Sequence, residues 1–461
     1  NVTIGLSSSN TAEGIVSPTS VTITPANWSN PVTITVTGVD DFVDDGNVAY
    51  TIVTAAATST DTKYNGLNAS DVSVTNLNDD VAGVTVDPTS GLVTTEAGAQ
   101  ATFIIKLNSR PTANVSITLN STNTDEGVIS PTNVTFTSSN WNTPQTITIT
   151  GVDDDVDDDD IAYTIETQPC VSSDTKYDNL NPVDVSVTNR DNDVAGYIVS
   201  PTTVSYSESG SPVTVNFRLS SKPTANVSFT ITSENTDKGT VSPASFTFTP
   251  ANWNTNQVLT ITPVNNSVDD GDVTFTVTTS AATSADSKYN SLNPPDIQVT
   301  CTDDDVAGIT VSAISGNTRE DGTTATFTIV LNTEPTADVT IDVKSSNTAE
   351  GTVSPASVTF TSANWNTPQT ITVTGVDDAV ADGNQTYTII IHPAVSTDTN
   401  YNGIDPDDLS LQNIDNDQAG VNVFPVSGLI TTEAGGTATF QMLLNTAPTA
   451  DVTVNFVSSN T

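Results

Sequence analysis

In the stretch NVSITLN, Val115, Ile117 and Leu119 alternate with Ser116, Thr118 and Asn120. A period of two puts one set of side chains on each face of a β-strand, so the segment is predicted to be a strand with one buried face. The same reading extends over residues 81–193. GVTV, part of GLVTTEAG, ATFIIKL, NVSITLN, NVTFT, QTITITGV, IAYTIET and DVSVTN are all short and rich in Val, Ile and Thr. Each is bounded by Gly, Pro, Asn, Asp or Ser, which favour turns. Seven or eight such strands at regular spacing predict a two-sheet sandwich. No helical period interrupts them. The crossovers that parallel pairing requires are missing, so the expected class is an all-β, antiparallel Greek-key sandwich of immunoglobulin-like type.

The pattern repeats. Tryptophan of the dipeptide NW falls at 28, 141, 253 and 365, at intervals of 113, 112 and 112 residues. The PTA motif recurs at Pro111, Pro223, Pro335 and Pro448, and AG at Gly83, Gly196, Gly308 and Gly420. A period near 112 is the size of one sandwich domain rather than of a solenoid coil. The chain therefore divides into a partial repeat at 1–80, complete repeats at 81–193, 194–305 and 306–417, and a partial repeat at 418–461, in an elongated array. Each Trp precedes a strand and is predicted to plug its core. Residues 1–80 lack the first strands of a repeat and 418–461 supply only those strands. The expectation is a piece of a longer array, or a chain whose end completes the start of another copy in a homopolymer.

Composition narrows the partners. The 461 residues include 54 acidic and 11 basic ones, a formal charge of −43. Nucleic acids and anionic membranes need basic surface, so both are excluded as partners. No stretch is long and apolar enough for a membrane helix, and membrane insertion is not expected of this segment. The chain carries no signal peptide and does not begin with Met, which fits a mature or excised piece. Cys170 and Cys301 occupy different positions of their repeats, so no repeated disulfide framework exists. They are expected to be small half-buried residues.

The acidic residues fall in columns. One contains Glu96, Glu208, Glu320 and Glu433. A second contains Asp40, Asp153, Asn265 and Asp377, with Asp41, Asp154, Asn266 and Asp378 beside it. A third contains Asp45, Asp158, Asp270 and Asp382. The repeats close on Asn78, Asp79 and Asp80, then on Asp191 and Asp193, Asp303 and Asp305, and Asp415 and Asp417. All lie in predicted loops that a Greek key can gather at one pole. Calcium accepts six to eight oxygen ligands from several loops. Mg²⁺ favours fewer carboxylates, and one His with two scattered Cys is a poor set for Zn²⁺. The alternative is a solvated acidic surface. Recurrence at fixed columns, adjacency and the scarcity of Lys favour an ion. Seven of the eight residues from Asp153 to Asp160 are aspartate. Of these, Asp157, Asp159 and Asp160 are expected to face water, because other copies put Asp44 or Ala381, Gly46 or Gly383, and Asn47 or Asn384 there.

The third repeat varies the theme. Its aspartate pair is Asn265 and Asn266, and the column Glu13, Glu126, Glu350 holds Lys238 in it. These changes belong together if the EG turn lies near the site and a lysine stands in for an ion.

The ordered motifs TEAG…ATFIIKLN…PTANVSITL, TITITGVDDDVDDDD and the closing DND resemble a Calx-beta domain, the sandwich found in sodium–calcium exchangers and in many bacterial surface proteins. The resemblance covers the three complete repeats and both partial ones. The segment SPTNVTFTSSNW is more similar to variants in long bacterial arrays than to exchanger domains. The resemblance implies calcium at one pole. Its ligands would be an early Glu, the paired Asp, the acid four residues after that pair, and the terminal aspartates. In the first complete repeat these are Glu96, Asp153, Asp154, Asp158, Asp191 and Asp193. The departures at Asn265 and Asn266 put the third repeat's full set of ions in doubt.

For function, the lone His392 has no repeated partner and no activated Ser or Cys motif is present, so an enzyme is not expected. The favoured reading is a calcium-stiffened structural segment of an extracellular or cell-surface stalk, fibre or filament, whose partners are neighbouring repeats of the same or another copy. An adhesin module gripping a glycan or neighbouring cell is the alternative, and a calcium sensor a further one.

Overall fold

A computed structural model describes residues 1–460. Among them every regular element is a β-strand. Among the described residues no helix is long and apolar enough to cross a membrane. Each stretch of about one repeat folds as two facing sheets. In residues 84–190 the first sheet runs in the order Gly127–Ser130, Gln145–Gly151, Gln100–Leu107, Val84–Asp87. The second runs Asn133–Phe136, Val115–Ser121, Ile161–Thr167, Val185–Arg190, Leu92–Thr95, with Val171–Ser172 pairing beside Val115. That is ten elements, more than the seven or eight expected, because short strands flank several turns. The same two-sheet arrangement recurs in residues 197–302 and 309–414.

Alternation produces the core as the sequence pattern requires. Phe103, Ile105 and Leu107 of one sheet are buried, as are Val115, Ile117, Leu119, Ile165 and Val187 of the other, in a single cluster. Burying each such side chain contributes about 1.5–3 kcal/mol. Equivalent clusters form around Phe217 and Phe229 and around Phe327 and Ile341. Trp141, Trp253 and Trp365 pack against these cores. Their carbonyls also accept the backbone N–H of Leu107, Leu219 and Leu331. Trp28 departs from expectation and is 74% exposed. No strand like Gln100–Leu107 lies opposite it, and the small cluster there is centred on Val16, Tyr50 and Ile52.

Two expectations need correction. Cys170 and Cys301 are fully buried rather than half-buried. The pairing is also not wholly antiparallel. Leu92–Thr95 runs parallel to Val185–Arg190, Thr203–Ser207 to Ile297–Thr302, and Thr318–Arg319 to Leu409–Ile414. The partners are the early and the last strands of a repeat, so the intervening strands supply the long crossover that parallel pairing needs.

Candidate metal centre at the repeat pole

The parallel pair builds the site. Because Leu92–Thr95 and Val185–Arg190 point the same way, both release the chain at one pole. Glu96 emerges beside Asp191, and its N–H donates to the Arg190 carbonyl at 3.1 Å. The antiparallel strand Gln145–Gly151 delivers the 152–160 loop to the same place. Gly127 lies at the base, where a Cβ would fall 2.0 Å from the Tyr163 hydroxyl oxygen. Only glycine fits there.

Glu96 is 3% exposed, and its Oε2 accepts the N–H of Asn192 at 3.0 Å. Asp191 Oδ2 accepts the N–H groups of Asp158 and Asp159, and its Oδ1 that of Asp193. Asp154 Oδ1 accepts Val156 N–H and shapes the loop, while Asp153 Oδ1 accepts Asn192 Nδ2 at 3.1 Å. Glu126 Oε2 accepts Asn189 Nδ2 at 3.1 Å. Asp158 Oδ1 is buried with no donor. These carboxyls crowd one another. Burial, followed by repulsion from Asp191 and Asp154, pushes Glu96 up to about 7, against the opposing hydrogen bond from Asn192. Burial, then Glu126, Asp154 and Asp191, pushes Asp158 up to about 6.

The candidate ligands assemble as follows. Glu96, Asp191 and Asp193 each offer an oxygen within 4.8 Å of the others. So do Glu208, Asp303 and Asp305, and Glu320, Asp377 and Asp417. In residues 1–80 two groups form, Glu13 with Asp41 and Asp45, and Asp40 with Asp79 and Asp80. Two ligands about 2.4 Å from one Ca²⁺ lie at most about 4.8 Å apart, so the oxygen spacing fits this ion. The unpartnered Asp158 oxygen fits as a further donor. Asp415 Oδ2 accepts Gly383 N–H and its Oδ1 Asp417 N–H, as Asp191 does in its own repeat. Asp378 Oδ1 accepts Val380 N–H, and Asp382 donates its backbone N–H to the Val380 carbonyl within that loop. Asp270 is diverted, since it pairs with Lys238. Glu433 lies outside these groups.

Sequence reasoning left Glu13, Glu126 and Glu350 out of the ligand set, although the Lys238 substitution in their column marked them. It missed Asn76, Asn189 and Asn413, whose amides hold those glutamates. Asn189 sits at the end of an ordinary strand, and nothing local distinguishes it.

Asp157 and Asp159 do not simply face water. Asp157 Oδ2 accepts the N–H of Ala195, at the start of the next repeat, at 2.8 Å. Lys288, also in the next repeat, donates to Asp157 at 2.6 Å and to Asp159 at 2.7 Å. Asp159 adopts a left-handed φ of 69° where the other copies use Gly46, Gly271 and Gly383. Asp160 accepts the N–H of Asp191 at 3.3 Å. The same joint recurs: Asp44 caps Ala82 and pairs with Lys176, and Asp269 caps Ala307. Main chain meets main chain beside it, from Arg110 N–H to Phe42 O, Lys222 to Asp155, Glu334 to Ser267, and Ala447 to Ala379.

No protein-family model matches the chain, and no curated protein matches it. Among solved structures, one that is similar is CBD12 from CALX1.2, at 13% identity and a TM-score of 0.25, over 47% of this chain and 98% of that one. Domains 4–9 of the surface layer protein SbsC are similar at 15% identity and 0.22, over 92% and 60%. Mouse cadherin-23 EC22–24 is similar at 11% identity and 0.30, over 73% and 100%. The tandem all-β sandwiches stand on the chain's own strand pairing and cores.

Proposed function

We propose that this chain is a calcium-stiffened structural segment of an extracellular or cell-surface stalk, fibre or filament. One observation carries the reading: the loop that gathers the carboxylates is also the loop that docks on the next repeat. Within residues 153–160, Asp154 and Asp158 turn toward the pole, while Asp155 O and Asp157 bind Lys222, Ala195 and Lys288 across the joint. Calcium bound by Glu96, Asp158, Asp191 and Asp193, with Glu126 alongside, would neutralise the charge that otherwise forces this loop apart. Metal would then set the angle between neighbours. Extracellular calcium modules bind at about 10⁻⁴–10⁻³ M, so millimolar calcium keeps such sites filled. The repeats work by holding shape, not by catalysis.

A calcium titration of the chain followed by small-angle scattering tests this. The maximum dimension is expected to fall on chelation and to recover with calcium. An unchanged scattering profile would overturn the reading.

A further inference from the structure

The third pole is rebuilt around a lysine. Lys238 is 6% exposed, and its Nζ lies 2.8 Å from Glu208 and 2.8 Å from Asp270. The Glu208 carboxylate is itself buried; its Oε2 accepts from Lys238 and its Oε1 has no donor. Burial alone would push the lysine's pKa down, yet its hydrogen bonds to Asp270 and Glu208 raise it, so it stays charged.

The surroundings have changed with it. Asn266, in place of Asp154, donates Nδ2 to Glu208 at 3.3 Å and to Asp270 at 3.4 Å. A donor thus stands where another carboxylate would repel. The amide that holds the glutamate elsewhere, Asn189 or Asn413, is Cys301 here and is buried. Lysine accepts no hydrogen bond, and no amide is needed to orient it. The hydroxyl pair Thr94 and Tyr163, which bonds the Asn189 side, becomes Tyr206 and Phe275. Tyr206 OH donates instead to the Lys238 carbonyl at 3.1 Å. Asn192 becomes Asp304, which turns away to Ser207 and Ser209. Separate drift would leave buried charges unmatched. Here the changes at Asn266, Cys301 and Tyr206 suit the ammonium group together.

We propose that the Lys238 ammonium takes the place of a bound divalent cation at the third pole, so that the joint between residues 194–305 and 306–417 is locked without metal while the other joints need it. This rests on the calcium reading above for the other joints; the lysine's part in the lock does not. The array then has one permanently stiff joint between conditional ones. Its main-chain contact, Glu334 N–H to Ser267 O at 2.7 Å, and the Asp269 cap on Ala307 persist when calcium is withdrawn.

Spin-label pairs on the 461-residue chain test this. Thr118→Cys with Thr230→Cys spans the preceding joint, and Thr230→Cys with Asp342→Cys spans the lysine joint; these positions are exposed, and the native cysteines are buried. The expected result is that EDTA removes the sharp distance peak of the first pair and leaves that of the second. Lys238→Gln should make the second pair lose its peak in EDTA, while Lys238→Arg, which keeps the charge, should not. Loss of both wild-type peaks in EDTA, or a Lys238→Gln protein whose second peak persists in EDTA, overturns the proposal. If neither wild-type peak moves and Lys238→Gln still loosens its joint, the lysine lock stands and the calcium reading fails.

Discussion

Asp157 and Lys288 belong to successive repeats, 131 residues apart in sequence, and their Oδ1 and Nζ atoms lie 2.6 Å apart. The pair fastens a pole loop to its neighbour, and the same aspartate caps Ala195 N–H with its other oxygen. One side chain therefore makes two contacts across one joint, and the two differ in exposure and in strength.

Removing Lys288 takes away its partly exposed ion pairs with Asp157 and Asp159 and leaves the Ala195 cap in place. Such exposed pairs contribute little and weaken with salt. Asp157→Ala also strips the cap from Ala195 N–H, a further loss of about 1 kcal/mol. Limited proteolysis near Asp193 is expected to accelerate more in Asp157→Ala than in Lys288→Ala. High salt should bring the wild type toward the Lys288→Ala rate. Equal rates in both variants would show that the cap contributes nothing.

Asp191 both offers oxygen to the pole and accepts three backbone N–H groups. The double change Asp191→Asn, Asp193→Asn is expected to reduce calcium stoichiometry in calorimetry and to loosen that one joint. Filling one site at a hundredfold excess over the dissociation constant stabilises the fold by about 2.7 kcal/mol. The calcium-induced rise in melting temperature should shrink accordingly for the affected repeat.

Acidity should act in opposite directions with and without calcium. Glu96 titrates at about 7 and Asp158 at about 6 in the folded chain, against ordinary values of 4.5 and 3.8, with burial as the main cause. Between the ordinary and raised values the folded state binds more protons than the unfolded one, so stability falls as pH rises through about 4 to 7. In EDTA the chain is expected to melt at a higher temperature at pH 5.5 than at pH 8. With calcium, protons compete with the ion and the order should reverse. Calorimetric scans at both pH values, in each condition, check this.

Tyr177 is buried. It donates to the Ser109 carbonyl at 2.7 Å and receives the Ser109 N–H at 3.0 Å. It thereby holds the loop whose Arg110 N–H meets Phe42 of the preceding repeat. Tyr177→Phe leaves buried backbone groups unpaired and should cost about 1–3 kcal/mol. The expected signs are a lower melting temperature and faster proteolysis near Asp80. Unchanged melting would mean that packing alone holds the loop.

Much of this was legible because the chain repeats itself. Val115, Ile117 and Leu119 announce their strand by alternation, and the Glu96 and Asp191 columns are visible because four copies can be laid side by side. The link between Lys238 and the aspartate pair was legible for the same reason. What stayed hidden depends on partners distant in sequence. Leu92–Thr95 reads like any short strand, and its parallel pairing with Val185–Arg190 exists only once the strands between them have folded. Asp157 looked solvated because its partner Lys288 lies a full repeat away. Cys301 looked incidental because the role of Asn189, which it replaces, cannot be seen in a strand pattern.

The parallel pair also decides how a repeat carries load. A pull along the array draws the early strand one way and the closing strand the other, so two parallel strands slide along each other. Their hydrogen bonds then resist together, not one after another as in unzipping. The overlap differs between copies: five residue pairs join Thr203–Ser207 to Ile297–Thr302, four join Leu92–Thr95 to Val185–Arg190, and two join Thr318–Arg319 to Leu409–Ile414. Of the three complete repeats, the one built around Phe327 is therefore expected to yield first under rising tension and the lysine-centred one last, a mechanical weak link beside a tougher unit.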